Sequence, residues 1–230
     1  MERIRFLDTL RGLAVLSMVG YHALFTANYF GIAIFQIDKI AYAPYIIGSM
    51  FIIISGIVSV NSNENRQIKK SVELGIIAIT ISIGTFLFDP NLFIKFGVIH
   101  LLSICAFASI LIKKIDTWWL VLLSIVMIFL GVIFTNFTVR TEYLFPLGLI
   151  TTNYLAFDHY PLLPWLGVFS IGVLIGRDFL QILERVDAKY KKTNITLILL
   201  LEKIGKKSIQ IYILHEPIIV SIILFLKIIK

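Results

Sequence analysis

Long apolar runs separated by short polar breaks set the organisation of this 230-residue chain. Seven runs reach or approach the roughly 20 residues that an α-helix needs to cross a hydrocarbon core. They cover residues 10–28, 40–60, 71–88, 93–112, 118–134, 162–176 and 209–226, the sixth being short. The breaks carry turn and charge signals: 61–70 is polar and charged, Asp89-Pro90-Asn91 is a tight turn, and 113–116 is a short charged link. Two connections are longer. Residues 135–161 contain the stretch 143–155, too short to span and read as an interfacial or re-entrant piece. Residues 178–208 mix Lys and Glu with the apolar stretch 195–201 and predict an amphipathic surface helix. No internal repeat or second soluble domain interrupts the pattern, so residues 1–230 read as a single domain.

Composition sharpens this into a fold class. With 58% hydrophobic residues, 15% charged and a mean hydropathy of +0.92, the chain is too apolar for a soluble domain. The expectation is an all-α, multi-pass bundle of about seven transmembrane helices in the plasma membrane, with the lipid bilayer as its solvent. A net charge of +7 would suit nucleic acid, but Lys and Arg fall in short clusters between apolar runs, which excludes that partner. Placed on alternate sides of seven spans, sixteen of the twenty-one Lys and Arg share the side of the N-terminus. The positive-inside rule then puts the N-terminus in the cytoplasm and the C-terminus outside. The first run holds Arg11 and His22 and precedes no small-x-small site, so it is expected to stay as a spanning helix rather than a cleaved signal. A lone Cys105 in an apolar run excludes a disulfide framework and a thiolate metal cluster.

Ionisable residues inside spanning helices are costly and mark function by default. Asp8, Arg11 and His22 share one face of the first run, and Arg11 and His22 are eleven residues, or about 16 Å, apart along a helix axis. His100 and the pair Asp158-His159 fall in the same outer half as His22. His215 lies about two turns into the last run, beside Glu216-Pro217. Three histidines at one depth suggest a metal, but no pair has i,i+3 or i,i+4 spacing, and no metal is expected. Plainer roles stand beside the functional ones. A bundle histidine can bond a backbone carbonyl, Asp8 can cap the first helix or pair with Arg11, and Gly172 and Gly176 can serve close helix packing. Trp118, Trp119, Tyr42 and Tyr45 read as interface anchors.

Four ordered motifs carry a resemblance: Phe6-Leu-Asp-Thr-Leu-Arg-Gly-Leu-Ala14 followed by His22, Phe96-Gly-Val-Ile-His-Leu-Leu102, the stretch from Asp158 to Phe169, and the stretch from Ile204 to Pro217. Together they resemble the transmembrane acyltransferases, most closely prokaryotic relatives of the heparan-α-glucosaminide N-acetyltransferase catalytic domain. The resemblance implies an enzyme that moves an acetyl group from cytosolic acetyl-CoA to an extracytoplasmic acceptor, a sugar amine or hydroxyl, and a homodimer as a possible assembly. It makes His22 the catalytic histidine and Arg11 the arginine near the donor; Asp8, His100, Asp158 and His159 are taken with them as the candidate catalytic set. The chemistry of the residues agrees. A neutral imidazole suits removal of the acceptor's proton near pH 7. CoA phosphates need cationic donors at the cytoplasmic face, where Arg3, Arg5, Arg11, Lys206 and Lys207 lie, and His215 and Glu216 are assigned to the donor site with them. Two other classes use the same residues: a small carrier of an anionic metabolite, and a non-catalytic membrane partner. A carrier would be expected to show internal repeats or paired broken helices.

Overall fold

The computed structural model describes residues 4–32, 37–191 and 195–229, so Arg3 lies outside the described residues. Among the described residues nine α-helices follow in order: α1 (Arg5–Tyr29), α2 (Ala43–Ser59), α3 (Glu64–Phe88), α4 (Val98–Ile112), α5 (Thr117–Phe134), α6 (Leu162–Asp178), α7 (Leu180–Lys191), α8 (Thr196–Lys206) and α9 (Ser208–Ile229). Among the described residues there is no strand, only two isolated bridges, so the all-helical expectation holds. Of the helices among the described residues, four, α1, α3, α5 and α9, are long and apolar enough to cross a membrane, and a fifth span results if α6 and α7 count as one broken crossing. The apolar helices α2 and α4, at 17 and 15 residues, are shorter.

Each expected run has its helix, but three boundaries move for local reasons. The polar segment 61–70 is helical from Glu64 onward, because Asn63 caps α3 and accepts the Arg66 amide at 2.8 Å. The run 93–112 becomes helical only at Val98, whose amide is taken by the Asp158 carboxylate. The amphipathic segment 178–208 is two helices, α7 and α8, rather than one. Residues 142–147 form only a short 3-10 turn, closed by Gly148 at φ +100°, a left-handed conformation that favours glycine.

By their internal contacts the residues fall into two compact units, Met1–Phe51 with Gln181–Lys230, and Ile52–Leu180. In the first, α1 carries α8 along its N-terminal half and α9 along its C-terminal half. Gly12 and Gly205 make the α1–α8 approach possible: a Cβ on Gly12 would run into the Leu201 carbonyl, and one on Gly205 into the Asp8 carbonyl. No side chain of Ile4 caps α1. Asp187 of α7 does so instead, its Oδ1 accepting the Phe6 amide at 2.9 Å, while Phe6 and Tyr190 meet edge to face. The acceptor of the Phe6 amide thus lies 181 positions away in the sequence.

In the second unit α3 packs on α4, α5 on α6 and α4 on α6. Gly172 and Gly176 of α6 sit against the backbone of Ile53 and Ile57, with Gly56 facing Phe169, which is the close packing their spacing predicts. Phe169, Val173, Leu101, Leu120 and Ile52 form its core. Trp118 and Trp119 are exposed.

Candidate active site

The N-terminal end of α1 is a knot of charge within the first unit. Arg5 donates to Glu202 at 2.8 Å, and Lys206, one turn further along α8, pairs with the same carboxylate. Burial works to raise the Glu202 pKa, but the hydrogen bonds from Lys206 and Arg5 outweigh it and hold the carboxyl below its ordinary range. Arg11 contacts the buried Asp8 at 3.4 Å. Lys207 is exposed at the turn between α8 and α9. Arg5, Arg11, Lys206 and Lys207 therefore all belong to the part of the unit built around the start of α1 and the end of α8.

His215 and Glu216, grouped with those cations from sequence, sit elsewhere: they face His22. The His22 and His215 rings meet edge to face at 4.7 Å between centroids. His22 Nδ1 is 3.2 Å from Glu216 Oε2, and the Thr26 hydroxyl, one turn below His22, donates to Glu216 Oε1 at 2.7 Å. His215 Nδ1 lies 2.6 Å from the Tyr212 carbonyl oxygen, so that nitrogen carries the proton and Nε2 the lone pair. His215 Nε2 is 3.8 Å from Glu216 Oε2, and both atoms are buried without an aligned hydrogen bond. His22 keeps about a third of its side chain exposed (32%). The spacing argument against a metal does not decide this cluster, because its donors come from two helices. One donor atom each from His22, His215 and Glu216 lie within 4.8 Å of one another.

The second unit holds the other predicted residues, and it brings them together around Phe96. His100 accepts the Gly97 amide through Nδ1 at 3.2 Å and meets Ser82 Oγ through Nε2 at 3.1 Å, so both of its ring nitrogens are engaged at the start of α4. Asp158 Oδ2 accepts the Val98 amide at 2.9 Å and caps the same helix. His159 pairs with Phe96 across an isolated bridge, and its Nδ1 meets the Tyr154 hydroxyl at 3.0 Å. Burial pushes the His159 imidazole down to about 4 and raises the Tyr154 phenol, with help from the Asp158 charge. Both stay neutral, and the phenol donates. Lys95 Nζ stands 5.0 Å over the Tyr154 ring.

Thr26, Asp187, Glu202 and Tyr154 were not among the residues singled out from sequence. Thr26 was the most readable of them. It lies four residues after His22 on the same face of an apolar helix, where any polar group needs a partner. Asp187 and Glu202 lie in a charged segment where nothing distinguishes a capping carboxylate from a solvated one.

The profile of the family described as heparan-alpha-glucosaminide N-acetyltransferase, catalytic, matches residues 3–217. The chain belongs to this family. No curated protein and no solved structure matches the chain. Membership of a heparan-alpha-glucosaminide N-acetyltransferase family makes the protein a member of an acetyltransferase family, and its apolar helices make it integral to a membrane. The matched region runs through both units and includes α1, the 158–169 motif and His215-Glu216-Pro217.

Proposed function

We propose that the protein is a membrane acetyltransferase that takes acetyl groups from cytosolic acetyl-CoA and delivers them to an amine or hydroxyl, a sugar being the leading class, on the far side of the membrane. The observation that carries this reading is the contact of His22 with Glu216, itself anchored by Thr26. A carboxylate beside Nδ1 favours the tautomer with its proton there, and leaves Nε2 as a lone pair on the partly exposed side chain. His22 then acts as the base. The acceptor's proton passes to Nε2 as its oxygen or nitrogen bonds to the acetyl carbon, the thioester C–S bond breaks, and the imidazolium returns the proton to the departing thiolate. The same geometry also serves an acetyl group carried on His22 itself before transfer.

Arg11 and the cations around it would hold the CoA phosphates, with Arg5 and Lys206 oriented by Glu202. The separation of Arg11 from His22 along the continuous helix α1, about 16 Å, matches the reach of an extended pantetheine arm. His100, Asp158 and His159 take supporting roles in this reading, since the first two terminate α4 and the third is tied to Tyr154. The seven-span arrangement with the N-terminus in the cytoplasm fits a donor entering beside Arg11. It counts α2, α4 and α6 as spans, and it treats residues 1–230 as one domain in a plasma membrane.

Calorimetry with acetyl-CoA on purified protein in detergent, followed by acceptor-dependent release of CoA thiol, tests the reading. Saturable binding to the wild type, with release lost in His22→Ala while binding persists, supports it. Absence of acetyl-CoA binding at millimolar ligand overturns it and favours the carrier of an anionic metabolite.

A further inference from the structure

The cluster around His22 contains an unmet demand that the acetyl-transfer reading does not use. His215 commits its Nδ1 proton to Tyr212, so its Nε2 offers only a lone pair. That lone pair faces a carboxylate oxygen, Glu216 Oε2, at 3.8 Å. Two acceptors confront each other, both buried: His215 Nε2 has no donor, Glu216 Oε2 has only the off-line His22 Nδ1 at 3.2 Å, and His215 as a whole is only 8% exposed. Leaving such atoms unsatisfied is costly, and more so in an apolar setting. A cation between them resolves the conflict, and His22 supplies a third donor 3.2 Å from the same oxygen.

We propose that His22, His215 and Glu216 form a binding site for a divalent first-row transition metal, for which zinc is the best match, with a fourth coordination position left open. Two imidazoles and one carboxylate are a donor set that zinc favours. Bonds of about 2.0–2.2 Å in tetrahedral array place donor atoms roughly 3.3–3.6 Å apart. The 3.2 Å and 3.8 Å separations already bracket that range, and one donor atom from each of the three residues lies within 4.8 Å of the others. The groups behind the donors are also in place. The Tyr212 carbonyl fixes the His215 tautomer and the Thr26 hydroxyl holds the other Glu216 oxygen, which is the kind of outer support that orients metal ligands. Coordination through His22 Nδ1 displaces the proton that faces Glu216, so loading releases protons and weakens as pH falls. The site stands whether or not the chain transfers acetyl groups. Where it does, the metal takes over the tautomer that the base needs, and zinc inhibits transfer.

Metal-stripped protein, purified in detergent through a tag without histidine, is titrated with Co2+ while the visible ligand-field absorption is followed, and Zn2+ is then added as competitor. The expected result is one Co2+ per chain with tetrahedral-type absorption, erased by Zn2+ and weakened about tenfold or more in His215→Gln, in Glu216→Gln and in His22→Gln. Size-exclusion profiles and thermal midpoints identify any variant that fails to fold. His22→Gln, at a partly exposed position, keeps the test decisive if His215→Gln does not fold. No Co2+ absorption in the wild type at millimolar metal overturns the site, as does binding that survives unchanged in the folded variants. Acetyl-CoA calorimetry on the same metal-free sample separates the two readings: retained CoA binding without metal binding rejects only the metal site, and the reverse rejects only the acetyltransferase.

Discussion

The Thr26 hydroxyl donates to Glu216 at 2.7 Å, tying α1 to α9 directly behind the oxygen that faces His22. The bond gives Thr26 a task that a helix-interior threonine does not need for folding alone. Removing the hydroxyl as Thr26→Val keeps the shape and loses the anchor. The expected result is a kcat lower by roughly fivefold, corresponding to about 1 kcal/mol for one hydrogen bond, with KM for acetyl-CoA unchanged. Thr26→Ser should restore the rate. Glu216→Gln should cost more, within the ~10²–10⁴ range of a disabled general base. Steady-state kinetics on the three variants check the order.

The N-terminal end of α1 makes a separate prediction. Arg11→Ala should weaken acetyl-CoA binding by about ten- to a hundredfold, the range of a lost charge-assisted hydrogen bond, without altering the Co2+ spectrum of the His22 cluster. Calorimetry reads the first quantity and absorption the second. A change in both would mean that the two ends of α1 are not independent.

Acid should loosen the second unit before it protonates His159. In the unfolded chain this histidine takes a proton near its ordinary value of 6.5, whereas in the fold it does so only near 4. The unfolded state therefore binds more protons between those values, and stability is lost as the pH falls through that window, with no further loss from this group below it. Thermal midpoints in detergent should decline from about pH 7 to about pH 4.5, and His159→Gln should flatten the decline. Glu202 adds a later loss in the first unit. Its folded pKa is depressed, so its contribution is complete above the unfolded value and disappears as the pH falls through the folded one.

Glycines in and against α1 give a clean contrast in packing. Gly12→Ala and Gly205→Ala each drive a methyl group into backbone carbonyls and should cost about 1–3 kcal/mol or more. Gly20 lies in the same helix with open space around its missing Cβ, and Gly20→Ala should be neutral or stabilising by about 0.5–1 kcal/mol. Thermal or chemical unfolding of the three variants separates the close approach from simple helix propensity.

The helices were legible because apolar length is a strong signal, and the run that became α5 was placed within one residue at either end, that of α9 within three. The start of α3 was not, since a charged segment capped by Asn63 reads as a loop until the cap is recognised. Within the site, His22 and Arg11 were legible as charges in an apolar helix. The grouping of His215 and Glu216 with His22 was not. Depth was judged from each helix's own start, and His215 appeared only two turns in, far from a histidine more than four turns along α1. The short helix α8 accounts for the offset. It packs beside the first half of α1, so α9 begins alongside the middle of that helix and its second turn draws level with His22. Nor could spacing along one chain segment reveal a donor set divided between two helices.

The Asp187 cap on α1 has a consequence for biogenesis. Helix α1 leaves the ribosome without its cap, its close-packed neighbour α8 and the partners of His22, all of which lie in residues 181–230. During that interval a histidine and an uncapped helix end wait in or near lipid without their permanent company, a state that insertion machinery must shelter. A ribosome stalled before residue 187 would therefore display α1 as a quality-control substrate, and residues 181–230 act as the clasp that ends its vulnerability.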